Sequence, residues 1–107
     1  MAKGTGDMGG ILRQAQKMQK EMARIQEELK ERVVEGQAGG GMVKVFANGA
    51  QEVVGVKMNP QVIDPSDAEM LEDLILAATT QALKKARELA ESEMAKVTGG
   101  LGLPGIM

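Results

Sequence analysis

Residues 33–58 read Val33-Val34-Glu35-Gly36-Gln37-Ala38, Gly39-Gly40-Gly41, Met42-Val43-Lys44-Val45-Phe46-Ala47, Asn48-Gly49-Ala50 and Gln51-Glu52-Val53-Val54-Gly55-Val56-Lys57-Met58. The three longer runs are β-branched and approach a period of two, and glycine-containing breaks separate them, so the stretch predicts three short strands: Val33 to Ala38, Met42 to Ala47 and Gln51 to Met58. Gly39-Gly40-Gly41 makes the first turn. Asn48-Gly49 marks the second as a hairpin, because this dipeptide supplies the positive φ angles of a tight turn. A two-residue loop would set Val43 opposite Val54, and a bulged loop would shift that register by one; both stay open.

Upstream, Met8, Ile11, Ala15, Met18, Met22, Ile25 and Leu29 alternate in steps of three and four, a heptad seam over about three repeats that fails at Arg32. A helix is expected to end there. Downstream, Pro60 closes the last strand, and Asp64-Pro65-Ser66-Asp67 offers a capping residue, a proline for the first helical position and acidic groups at the positive end of the dipole. The second helix runs through Leu71, Leu74, Ile75, Ala78, Ala82, Ala86, Leu89, Ala90, Met94 and Val97 to Gly99-Gly100, about 45 Å at 1.5 Å per residue. A compact domain of this length has a radius of gyration near 13 Å, so both helices need a partner.

Composition narrows the function. The chain has 107 residues, one of them aromatic (Phe46), no Cys and no His. Disulfides, thiolate nucleophiles, imidazole bases and most transition-metal sites are excluded, and no residue can activate the few hydroxyls, so no catalytic, metal or cofactor site is expected. The glycine-rich ends lack apolar content to offset ordering entropy, and 1–8 and 99–107 are expected to be flexible tails of a single domain spanning 1–107. No signal-like or bilayer-length apolar run is present, which points to a soluble cytosolic protein without a membrane partner. Gly36 to Gly41 lacks the Lys-Ser/Thr and helix start of a phosphate loop, and the acidic run Asp64, Asp67, Glu69, Glu72, Asp73 lacks calcium-loop spacing, so no small-molecule substrate is expected.

The formal charge is -2, with a pI near 5.2, and an anionic partner must therefore be sought in charge segregation. On the side of the first helix away from its seam stand Arg13, Lys17, Lys20 and Arg24, followed by Glu27 and Glu31. A helix optimised only for solubility would intersperse the two signs. Lys84, Lys85 and Arg87 form a second cluster, for which pairing within the helix, as Lys84 with Glu88, is the plainer explanation. Such cations suit a phosphate backbone, and the near absence of aromatic residues disfavours single strands and most RNA readout, leaving duplex DNA.

Three stretches carry a family resemblance: Arg13-Gln14-Ala15-Gln16-Lys17-Met18-Gln19-Lys20-Glu21-Met22, then Gly41-Met42-Val43-Lys44-Val45 with Asn48-Gly49, and Met70-Leu71-Glu72-Asp73-Leu74-Ile75-Leu76-Ala77-Ala78 with the terminal Gly102-Leu103-Pro104-Gly105. Over nearly its whole length the chain resembles the YbaB/EbfC family of bacterial nucleoid-associated proteins. The resemblance implies an α+β fold, an α-β-β-β-α protomer with a three-stranded antiparallel sheet that dimerises through the sheet, its long helices projecting like tweezers. It also implies a non-enzymatic homodimer of the cytoplasm and nucleoid that binds double-stranded DNA and serves nucleoid organisation and gene regulation. Carried over by position, the binding residues are Arg13, Lys17, Lys20 and Arg24, with Lys84, Lys85 and Arg87. The alternative is an assembly scaffold that clamps a protein client between its helices, as prefoldin-type subunits do.

Overall fold

The computed structural model describes residues 2–100, with side chains placed for 8–97. Helix α1 (Ala2–Glu31) leads into strands β1 (Val33–Ala38), β2 (Val43–Asn48) and β3 (Val53–Met58), and two 3-10 turns (Pro60–Val62, Pro65–Asp67) precede helix α2 (Ala68–Gly100). The strands form one antiparallel sheet in the order β1-β2-β3. The expected α-β-β-β-α order with a three-stranded antiparallel sheet is what is observed. Of the two expected tails, Met1 and 101–107 lie outside the described residues, while α1 extends through the glycines back to Ala2.

The core has no aromatic residue and is built instead on close backbone approach. Val43, Val45 and Ala47 of β2 and Ala78, Ala82 and Ala86 of α2 are fully buried. The alanines recur every four residues and make a flat stripe along α2. Because the stripe has no bulk, α2 reaches the backbone of β1: a methyl on Gly36 would overlap the carbonyl oxygen of Ala78 and the backbone nitrogen of Ala82. Val62 caps this core, and Val34, Leu71, Leu74, Ile75 and Leu83 pack around it.

The side chains of α2 also occupy the free edge of β1. Gln81 Oε1 accepts from the Gln37 amide at 2.8 Å, and Lys85 Nζ donates to the Glu35 carbonyl at 2.9 Å. Those backbone groups are the kind an edge strand otherwise offers to another chain. The sole aromatic ring lies on the other face of the sheet, across Gly55, its partner in the register.

The second hairpin departs from both sequence-based registers: Val43 faces Met58, and a bulge near Ala47 sets Val53 opposite it. Neither Asn48 nor Gly49 has a positive φ; Gln51 does, at 64°. The loop is a wider turn, in which the Gln51 amide donates to the Asn48 carbonyl at 2.9 Å and Asn48 Oδ1 accepts from the amides of Ala50 and Glu52 at 3.0 and 3.1 Å. Gly49 is required by proximity. Its amide donates to the carbonyls of Leu29 and Arg32 at 2.8 and 3.0 Å, so the hairpin caps the end of α1, and an added Cβ would meet Leu29 Cδ2 at 2.6 Å. The positive φ angles fall instead in the first turn, at Gly39, Gly40 and Gly41 (64°, 65° and 91°).

The start of α2 also lies later than expected. Asp64 caps the 3-10 turn at Pro65, accepting from the Ser66 amide and hydroxyl, and Asp67 Oδ1 accepts from the Met70 amide at 3.2 Å at the helix start. The hydrogen bonds from Ser66 hold the Asp64 carboxyl below its ordinary pKa.

Helix α1 is anchored only at its C-terminal end. Ile25 and Leu29 are buried against α2 and the hairpin, with a cleft of about 300 Å³ between Leu29, Gly49, Ala90 and Met94. The particle measures 78 × 25 × 16 Å with a radius of gyration of 21.0 Å, well above the ~13 Å of a compact chain this long. A particle so narrow must hold both helices nearly along its long axis. Along β1, Glu35 meets Lys85, Gly36 meets Ala78 and Ala82, and Gly39 meets Leu74, so α2 runs back toward the start of β1; with Leu29 beside Ala90 and Met94, α1 and α2 run antiparallel and overlap only at their C-terminal portions. The seam of α1 is accordingly only half-paired within the protomer: Met18 is half-buried, while Met8, Ile11 and Met22 are exposed.

Gly36→Ala is expected to lower unfolding free energy by about 3 kcal/mol or more, because rigid backbone on both sides cannot yield. Gly40→Ala, where an added methyl meets nothing but φ is +65°, is expected to cost about 1 kcal/mol. Urea denaturation of both variants checks this contrast, and equal losses would refute the close-approach account. A pH effect follows from Glu93, which pairs with Lys96 at 2.9 Å and Arg32 at 3.4 Å. Chiefly the Lys96 hydrogen bond holds its carboxyl below the ordinary value of 4.5. With the folded pKa depressed, the stabilisation is present above pH 4.5 and is lost as pH falls through the folded value. Denaturation midpoints at pH 6 and pH 3 are expected to differ less for Glu93→Gln than for the parent chain.

Candidate nucleic-acid interface

Helical periodicity places Arg13, Lys17, Lys20 and Arg24 along one flank of α1, all exposed, with the first three on the portion that extends past the end of α2. They differ in availability. Arg24 is held by two carboxylates, Glu21 at 2.7 Å and Glu28 at 2.8 Å. The hydrogen bond and charge of Arg24 lower the pKa of Glu21, and Lys17 adds a smaller contribution. Among the described residues, Arg13, Lys17 and Lys20 make no ion pair. Met8 to Lys20 contains no acidic residue, whereas Glu21 to Glu31 contains four glutamates, Glu21, Glu27, Glu28 and Glu31. The projecting half is therefore the cationic half.

The α2 cluster is split. Lys84 and Arg87 are exposed, and the Lys84–Glu88 pair expected within the helix does not form; Lys85 is committed to the Glu35 carbonyl at the sheet edge. The structure also does not bring the two clusters together. Lys85 stands level with β1, and Lys17 lies about 30 Å further along the long axis of the same protomer at 1.5 Å per residue.

Sequence reading passed over one basic pair. Lys44 of β2 and Lys57 of β3 are direct cross-strand neighbours, on the sheet face that also carries Phe46. Two lysines opposite each other repel, and nothing in the order of residues shows the juxtaposition until the register is known. Among the described residues there is no cluster of His, Cys, Asp or Glu able to hold a metal ion, and no described helix is long and apolar enough to cross a membrane.

The profile of the YbaB/EbfC DNA-binding family matches residues 4–101. The chain belongs to that family. It is similar to a nucleoid-associated protein of Bacillus thuringiensis (strain Al Hakam), 58% identical over 107 residues, covering 100% of this chain and 98% of the relative. It is also similar to a nucleoid-associated protein of Thermoanaerobacter pseudethanolicus, 54% identical over 111 residues and covering 99% of each chain. Among solved structures, an uncharacterized protein from Helicobacter pylori superimposes with a TM-score of 0.67 at 27% identity, covering 79% of this chain and 86% of that one. This YbaB/EbfC chain is thus a member of a DNA-binding family, not of an enzyme family.

Freeing Arg24 should strengthen the interface. For Glu21→Gln combined with Glu28→Gln, duplex affinity at low salt is expected to rise, and the slope of log affinity against log salt to steepen by about 1 per protomer. Filter-binding titrations at several salt concentrations check it; an unchanged slope would remove Arg24 from the contact surface.

Proposed function

We propose that the protein acts as a homodimer that binds duplex DNA mainly through phosphates, contributing to nucleoid organisation and to gene regulation in the bacterial cytoplasm. The observation that carries this reading is the run Arg13, Lys17 and Lys20: three exposed cations with no ion-pair partner among the described residues, on a helix that extends away from the rest of the fold. From Arg13 to Lys20 the helix rises about 10 Å, a length over which a duplex carries about six phosphate charges. The spacing suits backbone neutralisation, and side chains of this type without a groove-reading motif give weak base readout.

The homodimer is supported by the sheet. Val56 and Met58 share the face of the buried Val45 and Val43, their cross-strand partners, yet both are exposed, as are Val53 and Val54 beside them. A second copy covering β3 would bury this patch, and two copies would present the cationic run twice. Six neutralised phosphates give a log–log salt slope of about -5, or about a thousandfold loss of affinity between 50 and 200 mM salt.

A salt-titrated mobility shift with duplex and single strand side by side tests the proposal. Duplex binding that follows this slope, exceeds single-strand binding, and falls at least tenfold in Arg13→Ala with Lys17→Ala is the expected result. No binding at low salt, or no effect of the double substitution, overturns it.

A further inference from the structure

Lys44 of β2 and Lys57 of β3 stand directly opposite each other, and among the described residues neither makes an ion pair. Like charges facing each other across a sheet repel, so the pairing works against the fold. A cleft of about 330 Å³ opens beside the two lysines toward Gly41, Asn59 and Pro60, with room for an anionic group.

The pair shares a side of the molecule with the cations of α1. Helix α2 forms one layer. The sheet and α1 follow end to end in the other, because α1 passes into β1 through Arg32 and the Gly49 amide caps its last turn. Both lie on α2, Gly36 against Ala78 and Ala82, and Leu29 beside Ala90 and Met94. Val43 and Val45 are buried against α2, so Lys44 between them points away, with Lys57 beside it. On α1 the seam of Ile25 and Leu29 turns to α2, and Arg13, Lys17 and Lys20 lie about 120° to 180° round the helix from it. Both sets of cations therefore face away from α2.

Their separation is that of one duplex turn. Lys44 is the register partner of Gln37, whose amide donates to Gln81, so the lysine pair stands level with Gln81. From there to the level of Leu29 is about 17 Å of α2, and from Leu29 to Lys17 is about 18 Å of α1, at 1.5 Å per residue. Lys17 and Lys44 are thus about 35 Å apart along the long axis. The phosphates of one strand of a duplex return to the same face every turn, about 34–36 Å. Glu27, Glu31 and Glu35 occupy the interval on the same side, so the cations form two separate contacts and not one diffuse patch.

We propose that Lys44 and Lys57 bind backbone phosphate one helical turn away from the phosphates held by Arg13, Lys17 and Lys20, so that a duplex lies lengthwise along the side of the protomer opposite α2. This rests on duplex binding by the α1 run and extends it with a second contact and an orientation. The face stays open in the homodimer, because Val56 and Met58, which a second copy would cover, share the other face with Val45 and Val43.

Duplex length separates the two contacts. A closed hairpin of about 8 base pairs is about 27 Å long and cannot reach both, whereas one of about 24 base pairs spans them. In the full chain, Lys44→Gln with Lys57→Gln is expected to weaken binding of the longer duplex about tenfold or more. Its slope of log affinity against log salt is expected to flatten by about 2 per protomer, while affinity for the shorter duplex changes by less than about twofold. Retained binding of the shorter duplex also shows that the variant is folded. Unchanged affinity for the longer duplex, or an equal loss for both lengths, overturns the inference and leaves the α1 run as the binding surface. Failure of the parent chain to bind either duplex overturns duplex binding itself, and the inference with it.

Discussion

The fold depends on one close approach, that of the α2 backbone to Gly36 of β1. A chain with a single aromatic residue cannot fill a core with large side chains, and this one removes the space instead of filling it. Ala78, Ala82 and Ala86 present almost no bulk, Gly36 presents none, and the valines of β2 occupy what is left. The approach also determines what stays uncovered. A helix about 10 Å across, set down on strands about 4.8 Å apart, spans two of them. Seated on β1 and β2, α2 leaves β3 bare, so the exposed valines of β3 follow from the same contact that builds the core.

Burial of Gly49 under Leu29 does for α1 what Gly36 does for α2. The hairpin turn donates to two carbonyls at the helix end, where α1 would otherwise leave acceptors unpaired. With Ile25 and Leu29 buried beside it and Arg32 held to Glu93, the helix is fixed at one end. The rest projects because no further element of the described fold lies alongside it. Cations carried on that projecting part stand apart from the acidic start of α2.

Much of this was legible in the order of residues, and the exceptions share a cause. The heptad spacing located α1, the β-branched runs located three strands within a residue or two, and the clusters at Arg13 to Arg24 and Lys84 to Arg87 were readable as charge patterns. What sequence could not supply was distance across the fold. Asn48-Gly49 reads as a tight turn, yet its glycine is required by Leu29, far upstream in the preceding helix. Gly36 reads as an ordinary strand glycine until α2 is laid upon it. Lys85 reads as one of a cluster paired within its helix or open to phosphate until the Glu35 carbonyl is found at 2.9 Å, and Arg24 loses its freedom to carboxylates three and four positions away, a pairing that spacing permits but does not require. Lys44 and Lys57 become neighbours only through a register that the bulge decides.

The net charge of -2 is the property most easily misread. A charge sum predicts attraction only when the charges lie within a screening length of one another, about 8 Å at physiological ionic strength. In a particle 78 Å long, the acidic start of α2, with Asp64, Asp67, Glu69, Glu72 and Asp73, lies at the end opposite the projecting half of α1. Several screening lengths separate the two, and a polyanion approaching Lys17 does not sense that end. Among the described residues, the carboxylate nearest Lys20 in sequence, Glu21, is held by Arg24 and directs its charge there. Elongation therefore does electrostatically what a basic composition would do in a compact protein, which is why an acidic chain can present a cationic arm.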